Sequence, residues 1–236
     1  MSFTLIAHTG AQSPDGNTVT TTGIDTTGAT LIVAAVAQVH GVAFSFTDSL
    51  SNIWTGLTVQ DNASSPKIQI FYVVNPNVGA GHTFANIVTS SFPAVTVTAW
   101  TGNAASPFDV ENGSTASATT IATGNVTPSL TNALVITAAG HSEVYSSSVD
   151  SSLTISDNEA GASSLAFGLA MAYIVQTVSP PATVNTTWSG DGSTHGWAAA
   201  IAVFKSADGV VPTIGAAASP FYRIKGWKYY SYARGL

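Results

Sequence analysis

Histidines and acidic residues are the side chains of this sequence that could bind a metal ion or transfer a proton. The five histidines are His8, His40, His82, His141 and His195. His40 and His141 lie 101 residues apart at the ends of two similar apolar runs, so a pseudo-symmetric metal pair is one interpretation. No His-x-x-x-His or comparable spacing supports zinc. We therefore favour two polar strand ends, and we expect neither a metal nor a cofactor.

The twelve acidic residues include two short pairs, Asp109-Val-Glu111 and Asp157-Asn-Glu159. A glycosidase needs two carboxylates that face each other across a cleft, and a calcium loop needs a denser run of oxygen ligands. Neither pair carries such a motif, so we interpret both as solvated turns. The sequence also lacks a Gly-x-Ser-x-Gly elbow, a phosphate loop and a dinucleotide fingerprint. We predict no catalytic residues.

Two tryptophans are candidates for stacking on a sugar ring. Trp54 and Trp188 are flanked by polar residues, whereas Trp100 and Trp197 lie within apolar runs and are assigned to the core. Flat aromatic side chains offer both a large apolar face and a polar edge. Trp54 and Trp188 therefore define a glycan-binding alternative, although packing in the core or at its edge is the favoured role for both.

Residues 220–236, which we call the C-terminal arm, differ from the rest of the chain. The body, residues 1–219, contains all twelve acidic residues and two lysines, so its net charge is −10, against +4 for the C-terminal arm. Tyr, Trp and Arg contribute most to binding when a partner buries them. The predicted partner-binding residues are Phe221, Tyr222, Arg223, Lys225, Trp227, Lys228, Tyr229, Tyr230, Tyr232 and Arg234.

Two placements of the C-terminal arm stay open. It packs back on its own body as a last strand, or it covers a partner or a neighbouring copy, for which the acidic body is a complementary surface. Residues 206–219 are small and contain Gly and Pro, so they predict an extended linker. We do not expect nucleic-acid binding, because an acidic body repels phosphates and the four basic residues of the C-terminal arm are few.

The composition favours a neutral surface. Charged residues make up 8% of the chain and hydrophobic residues 45%, against roughly 25% charged residues in an ordinary soluble domain. Such a composition suits a subunit packed in an assembly or an extracellular surface protein. The chain has no cysteine, so it forms neither disulfides nor thiolate metal sites. We expect no secretion signal and no membrane partner, because no basic leader and no long apolar run occur.

Short runs rich in β-branched and aromatic residues predict strands at 30–38, 67–74, 94–100 and 197–204. An internal repeat supports them, with offsets of 103, 101, 101 and 104 residues between the following segments: 30–35 and 133–138, 71–75 and 172–176, 82–84 and 183–185, 97–100 and 201–204. We predict an all-β, jelly-roll-like antiparallel β-sandwich over residues 1–205, with similar halves at about 1–112 and 113–205. Two immunoglobulin-sized sandwiches are the alternative to one interleaved jelly roll.

Several strand and turn motifs follow one another in a familiar order. They are Thr-Asp-Ser-Leu-Ser-Asn-Ile-Trp (47–54), Phe-Tyr-Val-Val-Asn-Pro (71–76), Gly-Ala-Gly-His-Thr-Phe (79–84), Ala-Ser-Pro-Phe-Asp (105–109), Val-Thr-Pro-Ser (126–129) and Ala-Tyr-Ile-Val-Gln-Thr (172–177). Over about residues 16–205 the chain resembles bacterial and bacteriophage β-sandwich domains, mostly uncharacterised, of surface and virion proteins. The resemblance implies a sandwich with a structural or binding role, and it excludes the C-terminal arm.

Together these observations predict a non-enzymatic structural protein of a bacteriophage particle, such as a capsid decoration, tail or fibre subunit. Its expected location is the virion, where the C-terminal arm would bind other virion proteins or copies of the chain. The alternative is a carbohydrate-binding module of a bacterial or phage surface protein, located at the bacterial extracellular surface and bound to a host-surface glycan. A glycan hydrolase is the least favoured hypothesis.

Overall fold

The structure, a computed structural model, describes residues 2–13, 15–63, 66–150, 153–161 and 167–210. These residues form strands, turns and loops with no helix, and the predicted all-β antiparallel sandwich is confirmed. The described part of the chain therefore offers no apolar helix that could span a bilayer. The C-terminal arm and residues 211–219 of the predicted linker lie outside the described residues.

We number seventeen strands in the described residues. Those of the first half are β1 (Thr4–Gln12), β2 (Val19–Thr20), β3 (Leu31–Gln38), β4 (Phe46–Asp48), β5 (Thr55–Gly56), β6 (Gln60–Asp61), β7 (Lys67–Val74), β8 (Phe84–Asn86) and β9 (Ala94–Thr101). Those of the second half are β10 (Asn103–Ala118), β11 (Thr120–Ala122), β12 (Ala133–His141), β13 (Ser148–Val149), β14 (Thr154–Glu159), β15 (Gly168–Gln176), β16 (Thr187–Ser189) and β17 (His195–Ser206). The alanine-rich run 197–204 lies in β17 and is a strand, as predicted.

Each half forms one large and one small sheet. The large sheet of the first half has the order β1-β9-β3-β7-β5, with β6 also paired to β7, and its small sheet has the order β2-β8-β4. The second half repeats both orders, as β10-β17-β12-β15-β14 and β11-β16-β13. All the described strand pairs are antiparallel and lie within one half. Two jelly-roll-like sandwiches of the same topology therefore follow each other along the chain.

The strand registers identify equivalent residues in the two halves. The following pairings recur: Leu31 with Val74 and Trp100 in the first half, and Leu134 with Val175 and Phe204 in the second. They reproduce three of the predicted offsets. The match between 82–84 and 183–185 is wrong by one residue, because His82 bridges Ile24 while Val184 bridges Val126. The sequence match is shifted by one residue here because these loop segments are polar. They lack the apolar pattern that aligns the long strands of the two halves.

The boundary between the halves lies at Gly102, between the end of β9 and the start of β10. The predicted division between residues 112 and 113 therefore falls inside β10, and the first residue of the predicted linker, Ser206, is the last residue of β17. The halves do not interleave their described strands, but they are in close contact. Their two large sheets pack face to face and enclose a shared core.

The shared core explains the apolar runs of the sequence. Successive side chains of a strand point to opposite faces of its sheet. On β3, Leu31 and Val33 point into the shared core, whereas Ile32 and Ala34 pack on the side of the small sheet. β12 repeats this arrangement. A strand buried on both faces has no solvent side, so it is apolar at nearly every position.

We predict that Leu31→Ala and Leu134→Ala destabilise the protein equally. Both side chains are fully buried in the shared core at equivalent positions, so each substitution should lower the free energy of unfolding by about 3 kcal/mol. Chemical denaturation measures the change. Val144→Ala, at a side chain that is 54% exposed, is the control and should stay within about 0.5 kcal/mol. A loss at only one of the two leucines would contradict a core shared symmetrically.

Candidate functional site

Four of the five histidines lie within hydrogen-bond distance of an aspartate. The pairs are His8 Nδ1 with Asp157 at 3.2 Å, His40 Nδ1 with Asp61 at 2.6 Å, His82 Nε2 with Asp48 at 3.0 Å, and His195 Nε2 with Asp191 at 2.9 Å. The pairs are separate from one another, and the described residues contain no group of three potential ligands around one point. By strand register the counterpart of His141 is Gln38 rather than His40, so the metal-pair interpretation loses its symmetry.

Asp48 fixes the position of Trp54. Its carboxylate accepts hydrogen bonds from the Trp54 indole at 2.7 Å, from the Leu50 amide at 2.8 Å and from His82. The Trp54 ring is half-buried and packs on Phe46 and Phe84. Its indole N–H therefore points inward and is not available to a ligand.

Trp188 is completely buried, and its indole donates a hydrogen bond to the Thr137 hydroxyl at 3.0 Å. It has no face on which a sugar could stack, so the glycan-binding alternative is contradicted at this residue. The polar neighbours that suggested exposure belong to β16, a strand of the small sheet with one buried position. Trp100 and Trp197 are buried, as predicted.

The two acidic pairs are not solvated turns, as the sequence suggested, because they lie in β10 and β14. Both connect the halves along the edges of the large sheets. Asp157 contacts His8 on β1, and Glu111 accepts hydrogen bonds from the amide and the hydroxyl of Thr58 at 3.1 and 2.8 Å. Burial raises the pKa of Asp157, although the hydrogen bond from His8 opposes that shift. Burial and the charge of Asp157 raise the pKa of Glu159.

An aromatic cluster at the end of β12 was missed from the sequence. The His141 and Tyr145 rings stack with centroids 4.1 Å apart, and the His195 ring lies 4.7 Å from Tyr145. Neither His141 nitrogen nor the Tyr145 hydroxyl has a hydrogen-bond partner among the described residues. Burial lowers the pKa of His141 to about 4 and raises the pKa of Tyr145. His141 and Tyr145 therefore form a packed, uncharged contact at neutral pH.

A surface groove relevant to binding lies where β5, β7 and β10 meet. We call it the β7–β10 groove; its volume is about 390 Å³, and its lining residues are Ile53, Thr55, Tyr72, Val73, Val74, Ala105, Ser106, Pro107 and Phe108. The Tyr72 and Phe108 rings stack with centroids 5.9 Å apart. Ile53 is 90% exposed at its rim. Ligand sites are typically concave, mostly apolar and of this size.

The β7–β10 groove exists because the two halves differ at this point. On β10, the step from Asn103 to Phe108 spans five residues while the paired step on β17 spans two, from Ser206 to Phe204. This bulge removes residues 104–107 from the regular ladder. At the equivalent edge of the first half, β1 pairs regularly across Thr4 and Leu5, and Phe3 is buried against Trp100. An aromatic ring covers both edges, since Phe108 lies edge-on to Phe204 at 6.4 Å, and the difference between the halves is the bulge itself.

The last described residues of the chain follow β17, whose end pairs with the start of β10 near the β7–β10 groove. The Ala207 amide donates to the Gly102 carbonyl at 2.8 Å, and Ser206 pairs with Asn103. Val210, the last described residue, exchanges two hydrogen bonds of 3.2 Å with Thr131. The acidic side chain of Glu111 lies three residues beyond Phe108 in sequence. The groove therefore has a mixed lining with two aromatic rings, an acidic residue further along β10, and the end of β17 as a neighbour.

Comparisons with protein-family models, with curated proteins and with solved structures each give no match. The fold and the contacts define the class as an all-β protein of two duplicated sandwiches with one shared core. The resemblance to β-sandwich domains of surface and virion proteins stays a prediction. The ten predicted partner-binding residues belong to the C-terminal arm and lie outside the described residues.

We predict that His141 makes the protein less stable in mild acid. The histidine titrates near pH 6.5 in an unfolded chain but near pH 4 in the folded protein. Between these values the unfolded chain binds more protons, so the free energy of unfolding falls as the pH falls, by about 3 kcal/mol in total. His141→Phe retains a ring against Tyr145 and should remove this loss.

The test compares urea denaturation of both proteins from pH 7.5 to pH 4. His195, Asp191 and Glu143, the other titrating groups near His141, are present in both proteins, so their contributions cancel in the difference. The free-energy curves of the natural chain and of His141→Phe should diverge below about pH 6.5. Parallel curves would contradict a neutral, buried His141.

Proposed function

We propose that this protein is a non-enzymatic structural subunit of a bacteriophage particle, such as a decoration, tail or fibre subunit. The C-terminal arm is its anchor on other virion proteins or on copies of the same chain. The virion is the proposed location. The bacteriophage assignment rests on the resemblance of residues 16–205, and the assembly role rests on the physical contrast between the body and the C-terminal arm.

That contrast is the observation that supports the proposal most strongly. In the described body the apolar side chains pack into buried cores. The large apolar residues that are exposed are scattered over the surface, as at Val78, Ile87 and Val178. Outside it, the C-terminal arm combines six aromatic residues with four basic ones. Such a segment loses much apolar exposure when another surface covers it, and an acidic body provides a complementary surface.

The hydrogen bonds of the polar groups in the body support a structural role. The buried Asp48 site holds a loop, and the Asp157 and Glu111 contacts link the two halves. Each of these groups already has a protein partner within hydrogen-bond distance. They therefore stabilise the fold, and none needs a substrate to explain its position. The glycan-binding alternative loses Trp188, which is buried, and retains only the half-buried ring of Trp54, whose indole N–H is bonded to Asp48.

We predict that the full chain assembles in solution and that a chain ending at Ser219 is monomeric. The truncation removes the C-terminal arm but leaves every described strand, since β17 ends at Ser206. Light scattering coupled to size exclusion measures the mass of both chains. A monomeric full chain, or a truncated chain that assembles equally well, would contradict the anchoring role.

A matched variant separates the charge of the C-terminal arm from its apolar surface. Replacing Arg223, Lys225, Lys228 and Arg234 by Gln retains all six aromatic residues. Because exposed charges are screened within about 10 Å at 0.1 M salt, assembly of the natural chain should weaken as salt rises. The Gln variant should assemble less well at low salt and should respond little to added salt.

A further inference from the structure

We propose that the β7–β10 groove of one molecule binds the aromatic part of the C-terminal arm of a neighbouring copy. This inference rests on the proposed function and names the surface that the anchor would occupy. The groove would take one or two aromatic side chains of residues 220–236 against Tyr72, Phe108 and Ile53. Each copy then offers one groove and one C-terminal arm, so contacts of this head-to-tail kind close into a ring or continue as a filament.

The shape and chemistry of the groove favour an aromatic occupant. Its lining mixes polar residues such as Thr55 and Ser106 with apolar ones, and the stacked Tyr72 and Phe108 rings among them are a surface for a further ring. Offset or edge-to-face aromatic contacts stabilise a complex beyond the burial of area alone. Ile53 covers no core residue at its 90% exposed position, so burial of this side chain by a partner would remove apolar surface from water.

The pseudo-symmetry of the body shows what is specific to the groove. In the first half the Phe3 ring lies edge-on to Trp100 at 6.4 Å, and in the second half the Phe108 ring lies edge-on to Phe204 at the same distance. The difference is the bulge of β10, which takes residues 104–107 out of the ladder and makes them part of the groove beside Tyr72 and Phe108. A further aromatic ring bound there would extend the Tyr72–Phe108 stack.

Charge favours the same occupant. Glu111 lies next to the loop that follows β5, and Asp109 accepts hydrogen bonds of 2.7 Å from the amide and the hydroxyl of Ser129. Both carboxylates follow the groove residues along β10. The four basic residues of the C-terminal arm alternate with its aromatic residues, so aromatic contacts in the groove would bring cations close to these carboxylates.

The length of the chain outside the described residues is sufficient to reach a neighbour. Phe221 lies eleven residues beyond Val210, which corresponds to at most about 36 Å of extended chain. The remaining residues of the C-terminal arm extend that reach further. Binding in the groove of the same molecule would bury the C-terminal arm without joining two copies, so it is the competing outcome of the experiment.

The absence of cysteine from the natural chain makes a single-site crosslinking test possible. Ile53→Cys is coupled to a benzophenone maleimide in the full chain, and the same is done with Ile87→Cys. Ile87 is 55% exposed and follows β8 of the small sheet, so it is a control for random encounters. Labelled and unlabelled chains, grown in ¹⁵N and ¹⁴N media, are mixed before irradiation, and crosslinked peptides are identified by mass spectrometry.

We expect residue 53 to crosslink with residues 220–236 in peptides that pair ¹⁵N with ¹⁴N chains, and residue 87 to give few such products. Crosslinks to residues 220–236 within one chain only would overturn the proposal. Equal yields at positions 53 and 87, or products without residues 220–236, would overturn it as well.

A second pair of variants measures the energetic contribution of the groove. Ile53→Glu places a charge at the apolar rim and should weaken self-association about tenfold or more, whereas Ile87→Glu should change it less than about twofold. Both sites are exposed, so neither substitution should affect the fold. A full chain that never assembles refutes the proposed function itself. Assembly that is insensitive to Ile53→Glu, without crosslinks at residue 53, refutes only the groove as the binding surface.

Discussion

Burial of the two large sheets on both faces is the constraint on which the rest of this structure depends. Each large sheet packs on its small sheet and on the large sheet of the other half, so β3 and β12 have no solvent-exposed side. Their residues must be apolar and small enough for close packing, which explains runs such as Leu-Ile-Val-Ala-Ala-Val-Ala. The same constraint leaves little room for charge in the body, and the polar surface comes from Ser, Thr and Asn instead.

Two identical halves packed against each other would have identical sheet edges. A binding site specific to one edge is therefore expected where the two halves differ in structure. The bulge in β10 opens a groove at one edge, whereas β1 pairs regularly across Thr4 and Leu5 at the other. The polar contacts between the halves differ in the same way, since a His–Asp pair connects β1 to β14 and a Glu–Thr pair connects β10 to the loop after β5. Duplication thus supplies a stable body, and local divergence supplies a distinctive surface.

The fold was largely predictable from the sequence because strands buried on both faces give long apolar runs that also align with each other. The sequence repeat aligns Leu31 with Leu134, and the strand registers of β3 and β12 agree with that alignment. Polar strand segments were harder to predict, since residues 109–111 of β10 and 157–159 of β14 were interpreted as turns. Packing was the favoured role of Trp188, but its complete burial was not predicted. The burial of these residues depends on the packing of distant strands, and so do the stacking of His141 on Tyr145 and the bulge that opens the groove.

Because the two large sheets enclose one shared core, the two halves should unfold as one cooperative unit. Native-state hydrogen exchange of the full chain measures this cooperativity, because the slowest amides of a cooperative unit open with one free energy. We expect the most protected amides of β3 and β12 to exchange with opening free energies equal to within about 1 kcal/mol. Protection of one strand while the other exchanges several kcal/mol more easily would show that the halves unfold independently and that the shared core does not couple them.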